Sequence, residues 1–438
     1  MSLVYQGKPL LTVSLAFLAA CSMWLYARWI AVPHQKYDAV RFGRPRGNLS
    51  DLYPRWLGAR ELLLRGRDPY SREITREIQR GYYGREIDPA RPNDPKDENG
   101  FAYPVYVVFL LAPTVRMDFA AVRLLFAGLL TILTVASVLL WERALGGGLS
   151  QAQQLAAVLL VLGSYAFFEA VFLQQPILLA AALLAGAFLA RERGWLVLSG
   201  VLMAVVTIKP QVALLPVVLM LMWVSGGWRP RQRWFWGFAS TMLLLLGASE
   251  YVLPGWLFRF YSAVRNYQSY MAGTSFLDWL VTPRWSGFFW VLIVLQVLWF
   301  VWKIRALAPD APDSRRALCL VLVAVVCTSP NLALYNQVLL LPGALFWFNY
   351  RKGWRRNGML IRSFSKIFVV LLAWPWVACG ILIVARVVFH AEFFVQRVWQ
   401  LPHYATLSLP VALLVLLLAA PPAAVSSQRT FPSSEMLA

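Results

Sequence analysis

Apolar runs recur along the whole chain, and polar residues fall into short connectors and one long early segment. A spanning helix needs about 17–25 mostly apolar residues. The pattern predicts an all-α protein with twelve spans, at 9–32, 118–141, 153–173, 176–190, 195–209, 210–225, 235–253, 287–303, 317–330, 332–348, 366–389 and 402–420. Two breaks are polar inserts in apolar sequence, Gln174-Gln175-Pro176 and Lys209-Pro210-Gln211. Helices of ~15 residues beside them reach about 22 Å at 1.5 Å per residue. The hydrocarbon core is ~30 Å thick. Irregular backbone does not face lipid, so both turns are expected in a protein-lined cavity below the exported surface.

Residues 33–117 read as a large structured loop within a single domain spanning 1–438. Leu52, Trp56, Ala59 and Leu63 form a stripe at helical spacing, with Arg55, Arg60 and Glu61 off it. Ile74, Ile78 and Tyr82 share a second helical face, and Glu73/Arg76 and Glu77/Arg80 are spaced for i,i+3 contact. Both stretches predict amphipathic helices at the membrane surface. Asp88 to Gly100 is rich in Pro, Asp and Asn and reads as loop. Phe101–Val115 is apolar but short and carries Pro104 and Pro113, so it is expected as a third surface helix that dips into the membrane without crossing it.

Composition agrees with a membrane protein. The chain is 59% hydrophobic and 14% charged, where soluble domains carry about 25% charged residues. Twenty Trp and seventeen Tyr suit many helix ends at the interface. The net charge of +20 would suggest nucleic acid in a soluble protein. Here much of it lies in the connectors at 225–234, 304–316 and 349–365, which read as topology signals, so nucleic acid is set aside. Those connectors share one face, which the positive-inside rule makes cytoplasmic. An even number of spans then puts both termini there, and residues 33–117 are exported. Cys21, Cys319, Cys327 and Cys379 lie inside apolar runs and read as small buried hydrophobes.

No P-loop, dinucleotide fingerprint, HExxH or G-x-S-x-G motif occurs. His34, His390 and His403 are not spaced as a metal site. What remains is a set of polar residues on the exported side: Asp51, Glu169, Gln174, Gln175, Lys209, Asn331, Tyr335, Asn336 and Gln337. Ionisable groups at membrane depth are costly and default to function. Plainer readings compete. Asp51 in Ser-Asp-Leu-Tyr-Pro suits a helix cap. Lys209 suits snorkelling to the interface. Gln175 suits a turn, Glu169 suits a structural ion pair, and Asp68-Pro69 reads as a turn.

The series GNLSDLYPRWLGARELLLRGRDPY, FAYPVYVVFLLAP, TIKPQVALLP and SPNLALYNQVLLLP resembles glycosyltransferase family eighty-seven, in order, over roughly Asn48 to Pro342. The resemblance implies a GT-C-type fold in a bacterial inner membrane. It implies an inverting hexosyltransferase using a polyprenyl-phosphate sugar, mannose favoured and arabinose the other choice, with a lipid or glycan acceptor. It implies Asp51 as catalytic base and Lys209 at the donor phosphate. Gln175, Asn336 and Glu169, from the polar set, and Tyr103, in the matching block, are expected as further substrate contacts. The donor already carries an activated phosphate, so no metal or cofactor is demanded. The sequence departs from the pattern at Asn331 and Asn336, where related sequences often carry a His or an acid. The competing functions are a transporter or flippase for lipid-linked glycans and a non-catalytic scaffold. Transporters usually show repeated halves, and no internal repeat is visible here.

Overall fold

A computed structural model describes residues 9–270, 275–329, 333–354 and 358–419, and among them there are helices and no strands. The chain begins with α1, Pro9–Arg41, which runs past the expected end at residue 32. Pro33 has no N–H for the helix ladder, and the turn before it widens into one π turn, Ala27–Ala31. Arg386 donates to the Trp29 carbonyl in that turn.

The loop supplies α2 (Leu52–Arg65), α3 (Arg72–Tyr83) and α4 (Val107–Leu111). Then follow α5 (Phe119–Ala144), α6 (Gln151–Leu162), α7 (Tyr165–Phe172), α8 (Ile177–Glu192), α9 (Leu196–Val206), α10 (Pro210–Ser225) and α11 (Trp228–Val252). The second half holds α12 (Trp256–Tyr270), α13 (Phe276–Val281), α14 (Pro283–Ile304), α15 (Pro312–Cys327), α16 (Leu341–Trp354), α17 (Gly358–Val387), α18 (Glu392–Arg397) and α19 (Leu409–Ala419).

Among the described residues five helices are long and apolar enough to cross a membrane: α1, α5, α11, α14 and the Ile361–Val387 part of α17. The pair α6 and α7 passes the same test together but is bent by 55°, as a broken span or a re-entrant loop would be. This is a multi-pass membrane protein. The other predicted spans are shorter helices, and the one expected at 332–348 opens with a 3-10 stretch, Leu334–Leu340. Beyond its charged first turn, helix α15 is apolar on all sides from Ala317 to Cys327, and every residue of that stretch is buried, as a helix without a polar face must be. It forms the middle of the main core. Cys319, Cys327 and Cys379 are buried as thiols. Gly200 and Gly237 let α9 and α11 approach closely: a Cβ on Gly200 would collide with the Trp234 carbonyl, and one on Gly237 with Val197.

The loop differs from its sequence pattern. Helix α2 is not a surface helix with a charged outer face. Arg55 is 5% exposed and Glu61 2%. The reason is that α2 is enclosed by a second core, in which Leu52, Trp56 and Leu62 meet Ile74, Ile78, Phe101, Val105 and Val108. Ile208 and Trp256 join that core, which fuses the loop to the membrane helices. Nor do Glu73 and Glu77 pair with Arg76 and Arg80. Arg67 gathers Glu61 (2.7 Å), Glu73 (2.9 Å) and Glu77 (2.6 Å) instead. The Phe101–Val115 segment is helical only over α4 and a 3-10 turn at Ala112–Thr114, too short to span, and Val105, Val107 and Val108 are buried in the loop core.

Candidate active site

The site forms where the loop meets two broken helices. The Asp51 N–H donates to the Leu173 carbonyl at 2.9 Å, which ties the start of α2 to the end of α7. The break there is sharp: Gln174 takes a left-handed φ of 50°, which non-glycine residues adopt at a cost of about 1–2 kcal/mol. Its side-chain amide donates to the Val171 and Phe172 carbonyls at 2.6 and 2.9 Å, satisfying the end of α7. The turn delivers Gln175, 3% exposed, to the interior.

Asp51 occupies the N-cap position of α2, yet its side chain accepts no capping hydrogen bond. The carboxylate is turned away from the helix. Oδ1 accepts from the Tyr82 hydroxyl at 2.8 Å, and Oδ2 accepts from the Gln175 amide. Beside Tyr82, Gly81 packs against the Tyr53 ring, where any Cβ would clash. Burial pushes the Asp51 pKa above the usual carboxylate value, against the opposing pull of Arg55, Tyr82, Lys209 and Gln175.

Lys209 lies within electrostatic reach of that carboxylate. It sits between α9 and α10 and is 6% exposed, so its ammonium does not snorkel. Nζ donates to Asn336 Oδ1 at 3.2 Å and lies 4.8 Å from the Tyr335 ring centroid. The Tyr106 hydroxyl donates to the Thr207 carbonyl at 2.9 Å and pins this turn to the loop. Asn336 is buried, and its amide nitrogen lies 3.5 Å from Ser329 Oγ. Glu169, on α7, accepts from the Tyr335 N–H and lies within electrostatic reach of Asp51. Its Oε2 is buried without a partner. Gln337 points elsewhere, donating to the Thr406 carbonyl at 2.6 Å. Asn331 lies outside the described residues.

Tyr103 receives the Tyr70 hydroxyl on its carbonyl at 2.5 Å, and the Arg55 guanidinium stacks 4.0 Å from its ring centroid. Burial raises its phenol to about 12. Two residues near Asp51 were not among the sequence candidates for chemistry. Arg55 is one turn along α2, and the i,i+4 spacing was the available signal. Asp97 comes from the irregular segment after α3. Its pKa is pushed up to about 6 by burial, with the Asp51 charge adding to the rise. No sequence pattern marked it, because its position depends on the Tyr83 hydroxyl, which donates to the Asp97 carbonyl at 2.9 Å.

An apolar groove of about 330 Å³ lies among α6, α7, α16 and α17, and Asp51, Gln175, Lys209 and Asn336 are not among its lining residues. Leu160, Leu341, Trp347, Phe368 and Leu372 line it, and so do Tyr165, one turn before Glu169, and Gln337, two residues after Tyr335. Among the described residues no group of three or more His, Cys, Asp or Glu is placed to hold a metal.

The family model for glycosyltransferase family 87 matches residues 101–330. The match takes in Tyr103, Glu169, Gln175 and Lys209, while Asp51, Arg55 and Asn336 lie outside it. No curated protein and no solved structure matches the chain. A match over just over half of the 438 residues, on a multi-pass membrane chain with converging polar groups at its broken helices, shows that this protein belongs to glycosyltransferase family 87.

Proposed function

We propose that the protein moves a sugar, mannose in first place, from a polyprenyl-phosphate donor to an acceptor hydroxyl at the exported face of a bacterial inner membrane. The observation that supports the reading is the buried Asp51 carboxylate, turned from its helix toward Tyr82 and Gln175, with the Asn336-bound Lys209 ammonium within electrostatic reach. In a single displacement, the acceptor oxygen forms a bond to the anomeric carbon and loses its proton to Asp51. The bond from that carbon to the phosphate oxygen breaks, and polyprenyl phosphate leaves with the electron pair. The anomeric configuration inverts.

A base contributes typically 10²–10⁴-fold to such a step. Positive charge near the leaving phosphate stabilises the charge that develops there, and Lys209 supplies it. Asn336 positions Lys209. Gln175 and Tyr82 orient the carboxylate. The unpartnered Glu169 Oε2 suits a sugar hydroxyl, and the Tyr103 ring suits a sugar face. The groove suits the isoprenoid chain. Mannose rests on the family resemblance alone, as do the twelve-span GT-C arrangement and the exported loop at 33–117 with both termini cytoplasmic, the last two together with the span and charge pattern.

The deciding experiment is incubation of purified protein with labelled polyprenyl-phosphate mannose and membrane extract, following release of lipid phosphate and gain of label by acceptor. Transfer with inversion is expected. If label moves across vesicle membranes without any bond broken, the protein is a flippase. If neither occurs with any lipid-phosphate sugar, catalysis is rejected.

A further inference from the structure

Arg55 is a buried cation without a counter-ion in hydrogen-bond contact. It is 5% exposed. Its Nη1 donates to the Asp51 backbone carbonyl, four residues back. Its guanidinium rests on the Tyr103 ring. Its Nε is buried and has no partner. Among the described residues it makes no ion pair. The other buried arginines differ in having carboxylate partners, although Arg191 Nε is also without a partner. Arg191 has Glu192, the Pro309 carbonyl and Ser314, and Arg316 has Asp313 and the Leu417 and Leu418 carbonyls. Leaving a charge buried and unpaired is strongly unfavourable, so this position is held for a partner that the protein itself does not supply.

The surroundings identify the partner as an anion. Arg55 and Lys209 both lie within electrostatic reach of the Asp51 carboxylate. Two cations therefore lie within electrostatic reach of one carboxylate, as do the acids Glu169 and Asp97. The guanidinium is a planar fork that matches phosphate oxygens, whereas an ammonium acts as a point charge.

We infer that Arg55 is the second phosphate-binding cation of the site, paired with Lys209 across the leaving group of a lipid phosphate. This rests on the reading of the protein as a lipid-phosphate glycosyltransferase. The charge balance shows why two cations are used. The donor is a phosphodiester with one negative charge. During transfer Asp51 gains the acceptor proton and becomes neutral, while the phosphate gains the electron pair of the broken bond. Negative charge thus passes from Asp51 to the phosphate. Arg55, bonded to the Asp51 carbonyl and free at Nε, follows that movement without leaving its place on Tyr103. Its contribution is therefore larger in the transition state and product complex than with bound donor, and it belongs in kcat.

The test uses the full-length protein in detergent or nanodiscs, with a short-chain polyprenyl-phosphate mannose as donor and the matching polyprenyl monophosphate as product inhibitor. Arg55→Gln is expected to lower kcat by about 10²–10³-fold, as loss of a group that stabilises developing charge does. It should weaken inhibition by the monophosphate at least about tenfold, change donor KM less, and leave the melting temperature near wild type. Arg55→Lys should recover part of both. A merely structural Arg55 would change stability and leave monophosphate inhibition at its wild-type value, and that result overturns the inference. If Arg55→Gln does not fold, Arg55→Lys decides: unchanged monophosphate affinity overturns the proposal, since the fork is lost while the charge is kept. If wild type transfers no sugar, the functional reading has failed. Binding of the monophosphate, read as a rise in melting temperature of wild type but not of Arg55→Gln, then still decides the anion site separately.

Discussion

Asp51 and Gln175 are 124 residues apart in the chain, and the Gln175 amide donates to the Asp51 carboxylate. That contact joins the loop to the broken helix pair and aims the carboxylate inward. It also separates two roles for this side chain, since a carboxylate engaged there and by Tyr82 does not cap α2.

The first prediction follows from that separation. Asp51→Asn keeps an acceptor oxygen for Tyr82 but removes the proton acceptor of the reaction. Turnover of purified Asp51→Asn should fall by at least the 10²–10⁴-fold typical of a base, with expression and melting unchanged. Wild-type turnover would remove Asp51 from the mechanism and leave Glu169 as the next carboxylate to test.

The pH profile should report the same group. The base works when ionised, so the rate falls as pH drops through the Asp51 pKa. Burial raises that pKa above the ordinary 3.8, while Arg55, Tyr82, Lys209 and Gln175 hold it down. The acid limb of kcat should therefore lie above 3.8. Tyr82→Phe removes a hydrogen bond to the ionised form, so the limb should move to higher pH. A limb that stays in place in Tyr82→Phe would assign it to another group, with Asp97 at about 6 the leading choice.

Lys209→Ala should lower kcat/KM for the donor by roughly 10²-fold, by loss of positive charge at the leaving group, and Lys209→Arg should restore part of it. Asn336→Ala should give a smaller loss in the same direction, because it frees the ammonium without removing it. Steady-state kinetics with varied donor check both. Unchanged donor kinetics in Lys209→Ala would exclude contact with the phosphate.

Gly200 tests the packing that holds the Lys209 turn. Gly200→Val forces a side chain against the Trp234 carbonyl on α11. Overpacking costs typically 1–3 kcal/mol, and backbone here has little room to yield. The variant should melt several degrees lower in detergent, whereas Gly247→Ala, with open space around it, should not. Equal melting of the two would show that α9 and α11 do not depend on the close approach.

Topology is open to cysteine labelling. In whole cells an impermeant thiol reagent should label a cysteine at exposed Asn93 and not one at exposed Asp310. The reverse pattern would place the loop in the cytoplasm and reject the exported site.

The sequence by itself determined the helical class, the membrane character, the two polar breaks and the residue types available for chemistry. These follow from composition and period, which are local properties. Tertiary structure decided which of those residues meet. The stripe Leu52, Trp56, Ala59 and Leu63 marked one buried face of α2, but Arg55 and Glu61 are buried too, because a separate core wraps the helix. Tyr82 read as part of an apolar face, yet its hydroxyl is spent on Asp51. Lys209 was equally suited to snorkelling until the Tyr335–Asn336 segment enclosed it. Each outcome turns on a contact between residues more than thirty positions apart, such as the 31 separating Asp51 from Tyr82 and the 127 separating Lys209 from Asn336. A side chain's burial, charge partners and direction are set by such contacts, and periodicity along one helix carries no record of them.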